Sequence, residues 1–231
     1  MAVRRGSPFG PGLLRFLHDL EANNNRSWFT ANKDRYETEV REPALAFIHA
    51  MAPRLAKISK RLVASDRTVG GSLMRIHRDV RFSKDKRPYK TNLGIQFRHE
   101  AGKDVHAPGL YFHVHDSGVF LACGMWRPDA EALAGVRQAI DADPNGWKRV
   151  RDAKRFRDDW ELSGDSLKRP PRGYPANHAM IVDLKRRDQI AVCNLRKSEI
   201  TKPDFVNTVS ERFGRSQGYL RWLAAAICMP F

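Results

Sequence analysis

Between Arg75 and Asn92 the chain reads Arg-Ile-His-Arg-Asp-Val-Arg-Phe-Ser-Lys-Asp-Lys-Arg-Pro-Tyr-Lys-Thr-Asn, with seven Lys or Arg and two Asp. Arginine suits recognition of phosphate or carboxylate, because its planar fork can donate two hydrogen bonds to one anion. In one reading Arg75, Arg78, Arg81 and Lys86 converge on an anionic ligand and Lys90 adds positive charge. Asp79 and Asp85 then orient the guanidinium groups, with Asp79 the candidate base, and Tyr89 supplies a hydroxyl or a stacking face. Ser83 is a conceivable nucleophile, although no base stands at an identifiable spacing. In the other reading the same residues form an Arg-Asp network that ties a long loop to a sheet and binds nothing. Both readings require charge pairing, since an isolated charge taken from water is costly. Asp79 lies beside Arg78 and two residues from Arg81, and Asp85 is flanked by Lys84 and Lys86, so both carboxylates are expected to stay ionised.

Other positions are candidates to complete a pocket. Trp28, Asn32 and Tyr36 fall at i, i+4 and i+8 on one helix face. The two aromatics read as core packing, while Asn32, if buried, needs hydrogen-bond partners and could reach the Arg-Asp network. Tyr111 and Trp126 are further candidate ligand contacts, and Asp85 and His113 join Asp79 as catalytic candidates. Lys168, Arg169 and Tyr174 read as an exposed loop, with a lid the less favoured alternative. His113 and His115 share a strand face, a spacing that can serve a metal with His77 or Asp79, but the surrounding cations oppose a further positive ion, so no metal is expected. The chain has no G-x-x-x-x-G-K-[ST], no G-x-G-x-x-G after a strand, no H-E-x-x-H and no G-x-S-x-G, and no cofactor is expected. Cys123 reads as a small core residue.

These residues must be positioned by surrounding elements. Leu13, Leu14, Phe16, Leu17 and Leu20 recur at helical spacing, Asn23-Asn24-Asn25 offers an N-cap, and a second helix is predicted from about 26 to 40. Pro43 suits the first turn of a third helix carrying Leu45, Ile48, Met51, Leu55 and Ile58. After Gly70-Gly71 the period changes to two, which predicts a half-buried strand over 73–82 with Met74, Ile76, Val80 and Phe82 on the apolar face. Further strands are predicted over about 92–99, 110–115 and 119–126, the last two joined as a hairpin across Asp116-Ser117-Gly118. Helices follow from Pro128 and from Asp143-Pro144, then a Pro- and Gly-rich loop over 168–175, a short helix near 177–185, a strand over 190–195 and two closing helices. With no internal repeat and no long linker, the chain reads as one α+β domain over 12–228, a largely antiparallel sheet covered by N- and C-terminal helices, with residues 1–11 flexible.

The stretch Arg78-Asp79-Val80-Arg81-Phe82-Ser83-Lys84-Asp85-Lys86-Arg87-Pro88-Tyr89-Lys90 resembles the central motif of the DUF2461 family, bacterial and fungal proteins defined without an assigned activity. Weaker stretches agree with it: Trp28 to Tyr36, Gly109 to His113, Gly124 to Pro128, and Leu167 to Tyr174 followed by His178. The resemblance runs from about residue 12 to about 225 and implies a domain identity without a catalytic assignment. His115 falls outside the signature.

The 231 residues carry 41 Lys and Arg against 26 Asp and Glu, a net charge of +15 that favours polyanionic partners. A second basic run, 148–157, reads as a solvated face. Three scattered cysteines exclude a disulfide framework, and no apolar run suits a signal peptide or a membrane span, so a cytoplasmic protein with no membrane partner is expected. The expected function is a basic pocket for a small anionic ligand, with enzymatic activity left open. The alternative is a nucleic-acid-binding module using the same basic and aromatic surface. Nothing in the sequence sets the oligomeric state.

Overall fold

Two segments alternate strictly between buried and part-exposed positions, β3 (Gly109–His115) and β4 (Gly118–Met125), and β2 (Asn92–His99) does so except at Gly94, which is buried as well; each is a strand. The structure, a computed structural model, describes residues 6–101 and 107–231. With β1 (Leu62–Val63), β5 (Glu161–Ser163) and β6 (Gln189–Leu195) these strands form a six-stranded antiparallel sheet in the order β1-β2-β3-β4-β6-β5. The register aligns Ile95, Phe112, Leu121 and Cys193 in one row of the inner face, all buried. On the outer face Gly94, His113, Phe120 and Asn194 form one row, and Asn92, His115 and Gly118 form another.

Helices from both ends of the chain cover the inner face. These are α1 (Gly12–Ala22) and α4 (Glu42–Ile58) from the N-terminal part, and α9 (Phe205–Arg215) and α10 (Gln217–Ala226) from the C-terminal part. Their apolar stripes meet the sheet in a cluster where Phe47, Phe112 and Phe205 surround Phe9, ring centroids 5.4–6.1 Å from that residue. Residues 1–5 of the expected flexible terminus lie outside the described residues, whereas Phe9 within it is buried and the Ser7 hydroxyl donates to the carbonyl of Ile200. In the chain α5 (Ala130–Ala142), α6 (Pro144–Arg151) and α7 (Lys154–Arg157) follow β4 and α8 (Ile181–Leu184) lies between β5 and β6, with α5 and α6 packed against α10. Asp129 and Asp143 cap α5 and α6 by accepting from the backbone N–H groups of Ala132 and Gly146. Among the described residues no helix is long and apolar enough to cross a membrane.

Two expectations need correction. The second helix is interrupted, giving α2 (Arg26–Ala31) and α3 (Lys33–Tyr36), followed by a π-helical turn (Glu37–Arg41). At the break the Asn32 side-chain amide donates to the Trp28 carbonyl, competing with the helix ladder. The predicted strand over 73–82 does not form. Leu73 bridges Ile95 at the edge of β2 and His77 bridges Tyr89, but the rest is irregular, and Phe82 is 96% exposed. The alternation of charge with apolar residues there serves a folded-back loop, in which Arg81 pairs with Asp79 and both Arg78 and Arg87 pair with Asp85.

Candidate anion-binding cleft

Asp79-Val80-Arg81 and Asp85-Lys86-Arg87 adopt the same local arrangement. In each, the Asp carboxylate accepts from the backbone N–H of the Arg two residues on, at 3.3 and 3.0 Å, and from its guanidinium. Arg78 adds the longer link, donating to Asp85 Oδ2 at 2.7 Å and to the carbonyl of Arg87 at 3.3 Å. The limbs of the loop close through Arg78 N–H to the Pro88 carbonyl (2.9 Å) and Lys90 N–H to the Ile76 carbonyl (2.8 Å). Asn24, between α1 and α2, clamps the loop to the helices: its Nδ2 donates to the Tyr89 carbonyl at 3.0 Å and its Oδ1 accepts from Tyr89 N–H at 3.1 Å. The Tyr89 ring stacks on Phe29 with centroids 4.1 Å apart.

A cleft of about 180 Å³ opens between this loop and the start of β2, lined by Arg78, Asp85, Arg87, Tyr89, Lys90, Thr91 and Asn92. Three cations face one carboxylate there. The two arginines beside Asp85 hold its carboxyl far below the usual carboxylate range. Burial, and then the charge of Arg75, lower the Lys90 ammonium pKa, and its Nζ donates to the Arg75 carbonyl at 2.9 Å. An anion placed beside Lys90 would relieve both penalties.

Thr91 connects the cleft to the outer face of the sheet, its Oγ1 lying 3.1 Å from His115 Nε2. Because the backbone N–H of Ser117 donates to His115 Nδ1, the imidazole proton sits on Nε2 and points at Thr91 and at Glu21, 3.7 Å away. The Thr91 hydroxyl proton is thereby left to donate elsewhere. Tyr111 and His113 form a separate pair one to two rows along the sheet, with the hydroxyl 2.9 Å from His113 Nδ1. Burial raises the Tyr111 phenol to about 12 and, aided by His115, lowers the His113 imidazole to about 4, so the phenol donates to a neutral ring.

The structure therefore brings together Arg78, Asp85, Tyr89 and Lys90 of the expected set, with Arg75 beside Lys90. Asp79 and Arg81 pair with each other on the exposed side of the loop, and Arg81 lies 5.8 Å from the Phe82 ring. Lys86 turns back to the Val80 carbonyl at 3.0 Å, and Ser83 N–H donates to the same carbonyl at 3.3 Å. Asn32 is satisfied within its own helix and by Arg35 and does not reach the network. Trp28 and Tyr36 pack on Phe16, as core residues do. Trp126 follows the far end of β4, whereas His115 and Asn92 mark the near end, a separation of roughly 25 Å along an eight-residue strand. The 168–175 loop packs toward α5, where His178 lies 2.9 Å from Asp141, and Tyr174 meets the His178 ring edge-on. Among the described residues no group of three or more His, Cys, Asp or Glu side chains could hold a metal ion.

Arg87, Thr91 and Asn92 line the cleft without having been singled out, although all lie in the quoted segment. Their signal was proximity to the motif. Glu21 carried none, and Asn24 and His115 stood out for other reasons, an N-cap and a shared strand face with His113; each reaches the site only through the register of β2 on β3 and the packing of α1. Across residues 12–222 the chain matches the model of a family described as conserved hypothetical protein (DUF2461). No curated protein and no solved structure matches it.

Proposed function

We propose that this chain, which belongs to the DUF2461 family, binds a small phosphate- or carboxylate-bearing ligand in the cleft between Arg78 and Asn92. The observation that carries this reading is the charge imbalance of the lining, Arg78, Arg87 and Lys90 against Asp85 alone, around a cleft of about 180 Å³. Arg87 and Lys90 supply charge, and the hydroxyl of Thr91 and the amide of Asn92 supply directional hydrogen bonds. Asp79 is held at a pKa of about 2 by Arg81, and Asp85 lower still by Arg87 and Arg78. Carboxylates held so acidic are poor general bases at neutral pH, which favours binding over proton abstraction by either.

Titration calorimetry with inorganic phosphate and with a short dicarboxylate tests the reading. One saturable site per chain is expected, weakened about tenfold by Lys90→Gln through loss of one charge-assisted hydrogen bond, with an unchanged circular dichroism spectrum. Absence of saturable heat with either anion contradicts it.

A second reading, a nucleic-acid-binding module, is favoured by one observation. Phe82 is 96% exposed beside Arg81, and Trp126 is 62% exposed with the Arg127 guanidinium 4.8 Å from its ring centroid. Exposed aromatics next to arginine offer stacking surfaces for unpaired bases. It predicts oligonucleotide binding that falls steeply between low and moderate salt and weakens in Phe82→Ala.

A further inference from the structure

A larger cleft, about 340 Å³, lies where the end of α4, α7 and the junction of α9 with α10 meet. Arg54 and Lys57 line it from one face of α4, being three residues apart, Arg155 lines it from α7 and Arg215 from the last position of α9. The carboxylate in the lining is Glu211. Two of these cations are held in place: Arg54 donates to the Ala50 carbonyl and to Asn207 Oδ1, each at 2.7 Å, and Arg215 donates to Asp159 at 2.7 Å. Lys57 and Arg155 are exposed and have no hydrogen-bond or ion-pair partner among the described residues. The floor is fixed by Gln217, whose side-chain amide donates to the Ile58 carbonyl at 2.5 Å and joins the start of α10 to the end of α4.

We propose that this second cleft is a binding site for a compact polyphosphate, two or three linked phosphoryl groups, separate from the cleft beside Lys90. Four cations from three segments surround a space larger than one phosphate needs, so linked anionic groups can each meet a different cation. The lining contains no aromatic ring and a single apolar side chain, Ile58. A base or sugar therefore finds no stacking surface, and recognition falls on the phosphoryl oxygens. Arg155 belongs to the basic run of 148–157, whose other members are partly engaged, Arg151 with Asp152 and Asp183 and Lys154 with Asp158. Arg155 is the member of that run that lines this cleft.

The full-length chain is titrated with sodium tripolyphosphate, with inorganic phosphate and with a twelve-residue oligothymidylate, alongside the double variant Lys57→Ala/Arg155→Ala and, separately, Lys90→Gln. The double variant alters two exposed side chains and Lys90→Gln a half-buried one, and circular dichroism verifies the folding of each. Tripolyphosphate is expected to bind at least about tenfold more tightly than phosphate. The double variant is expected to lose that advantage, while Lys90→Gln keeps it. Equal tripolyphosphate affinity in the double variant and the parent overturns the proposal. So does oligothymidylate that binds as tightly as tripolyphosphate and competes with it, which would mark the cleft as a groove for a nucleic-acid backbone. A loss confined to Lys90→Gln would move the tripolyphosphate to the first cleft and likewise overturn the assignment.

Discussion

Asp79 and Asp85 repeat one local device, a carboxylate turned onto the backbone and guanidinium of the second residue ahead. Only Asp85 also receives Arg78, and this makes it the joint between the loop's two limbs. Its carboxyl titrates far below the usual range. A carboxyl whose pKa is lowered by folding contributes stability above its unfolded value, near 4, and loses that contribution as pH falls toward the folded value. Thermal unfolding between pH 5 and pH 2 should therefore show a smaller acid-induced drop in Asp85→Asn than in the parent, and Asp79→Asn should show the same trend from its pKa of about 2. Asn24→Ala removes both hydrogen bonds that hold the Tyr89 backbone. Denaturant unfolding should register a loss of about 1–3 kcal/mol for it. The i to i+2 pairing of Asp79 with Arg81 was legible from spacing alone. Asp85 with Arg78, and Asn24 with Tyr89, were not, since residues 7 and 65 positions apart meet only after the loop folds back and α1 docks.

The strands β2, β3 and β4 were legible because their alternation coincides with real burial on one face, and Asp116-Ser117-Gly118 marks the turn between them. Alternation over 73–82 misled for a physical reason: only Ile76 of its four apolar residues is buried, and while Arg81 pairs locally with Asp79, Arg78 reaches beyond the segment to Asp85. Strands of two and three residues, β1 and β5, are too short to leave a pattern. The β3–β4 turn is tied down by Asp116, which lies 3.0 Å from His18 on α1 and 3.4 Å from Lys197. The Asp116 carboxylate raises the His18 pKa above its ordinary 6.5. A histidine whose pKa rises on folding stabilises fully below its unfolded value and loses that contribution as pH climbs through the folded one. Thermal midpoints at pH 6 and pH 8 should lie closer together in His18→Gln than in the parent. Where β4 meets β6, Gly124 has φ +112° and an added Cβ would stand 2.0 Å from the Gln189 carbonyl oxygen. Gly124→Ala should lower stability by at least about 2 kcal/mol in denaturant unfolding.

A net charge of +15 gives the molecule a long-range attraction for any polyanion, and that attraction is screened over about 10 Å at 0.1 M salt. Charge alone therefore does not separate a cleft from a basic exterior. Geometry does, because cations held by neighbouring carbonyls and carboxylates around Lys90 present fixed donors, whereas Arg81 and Phe82 stand in solvent. Phe82→Ala should leave folding stability within about 0.5 kcal/mol of the parent, as expected for a side chain with few contacts to lose. Diffraction from crystals grown with selenate in place of phosphate offers the most direct test of the cleft. An anomalous selenium peak within hydrogen-bonding distance of Lys90 Nζ and the Arg87 guanidinium is the predicted result. A cleft without such a peak, in crystals whose selenate sits only against Arg81 or other outward cations, would contradict it.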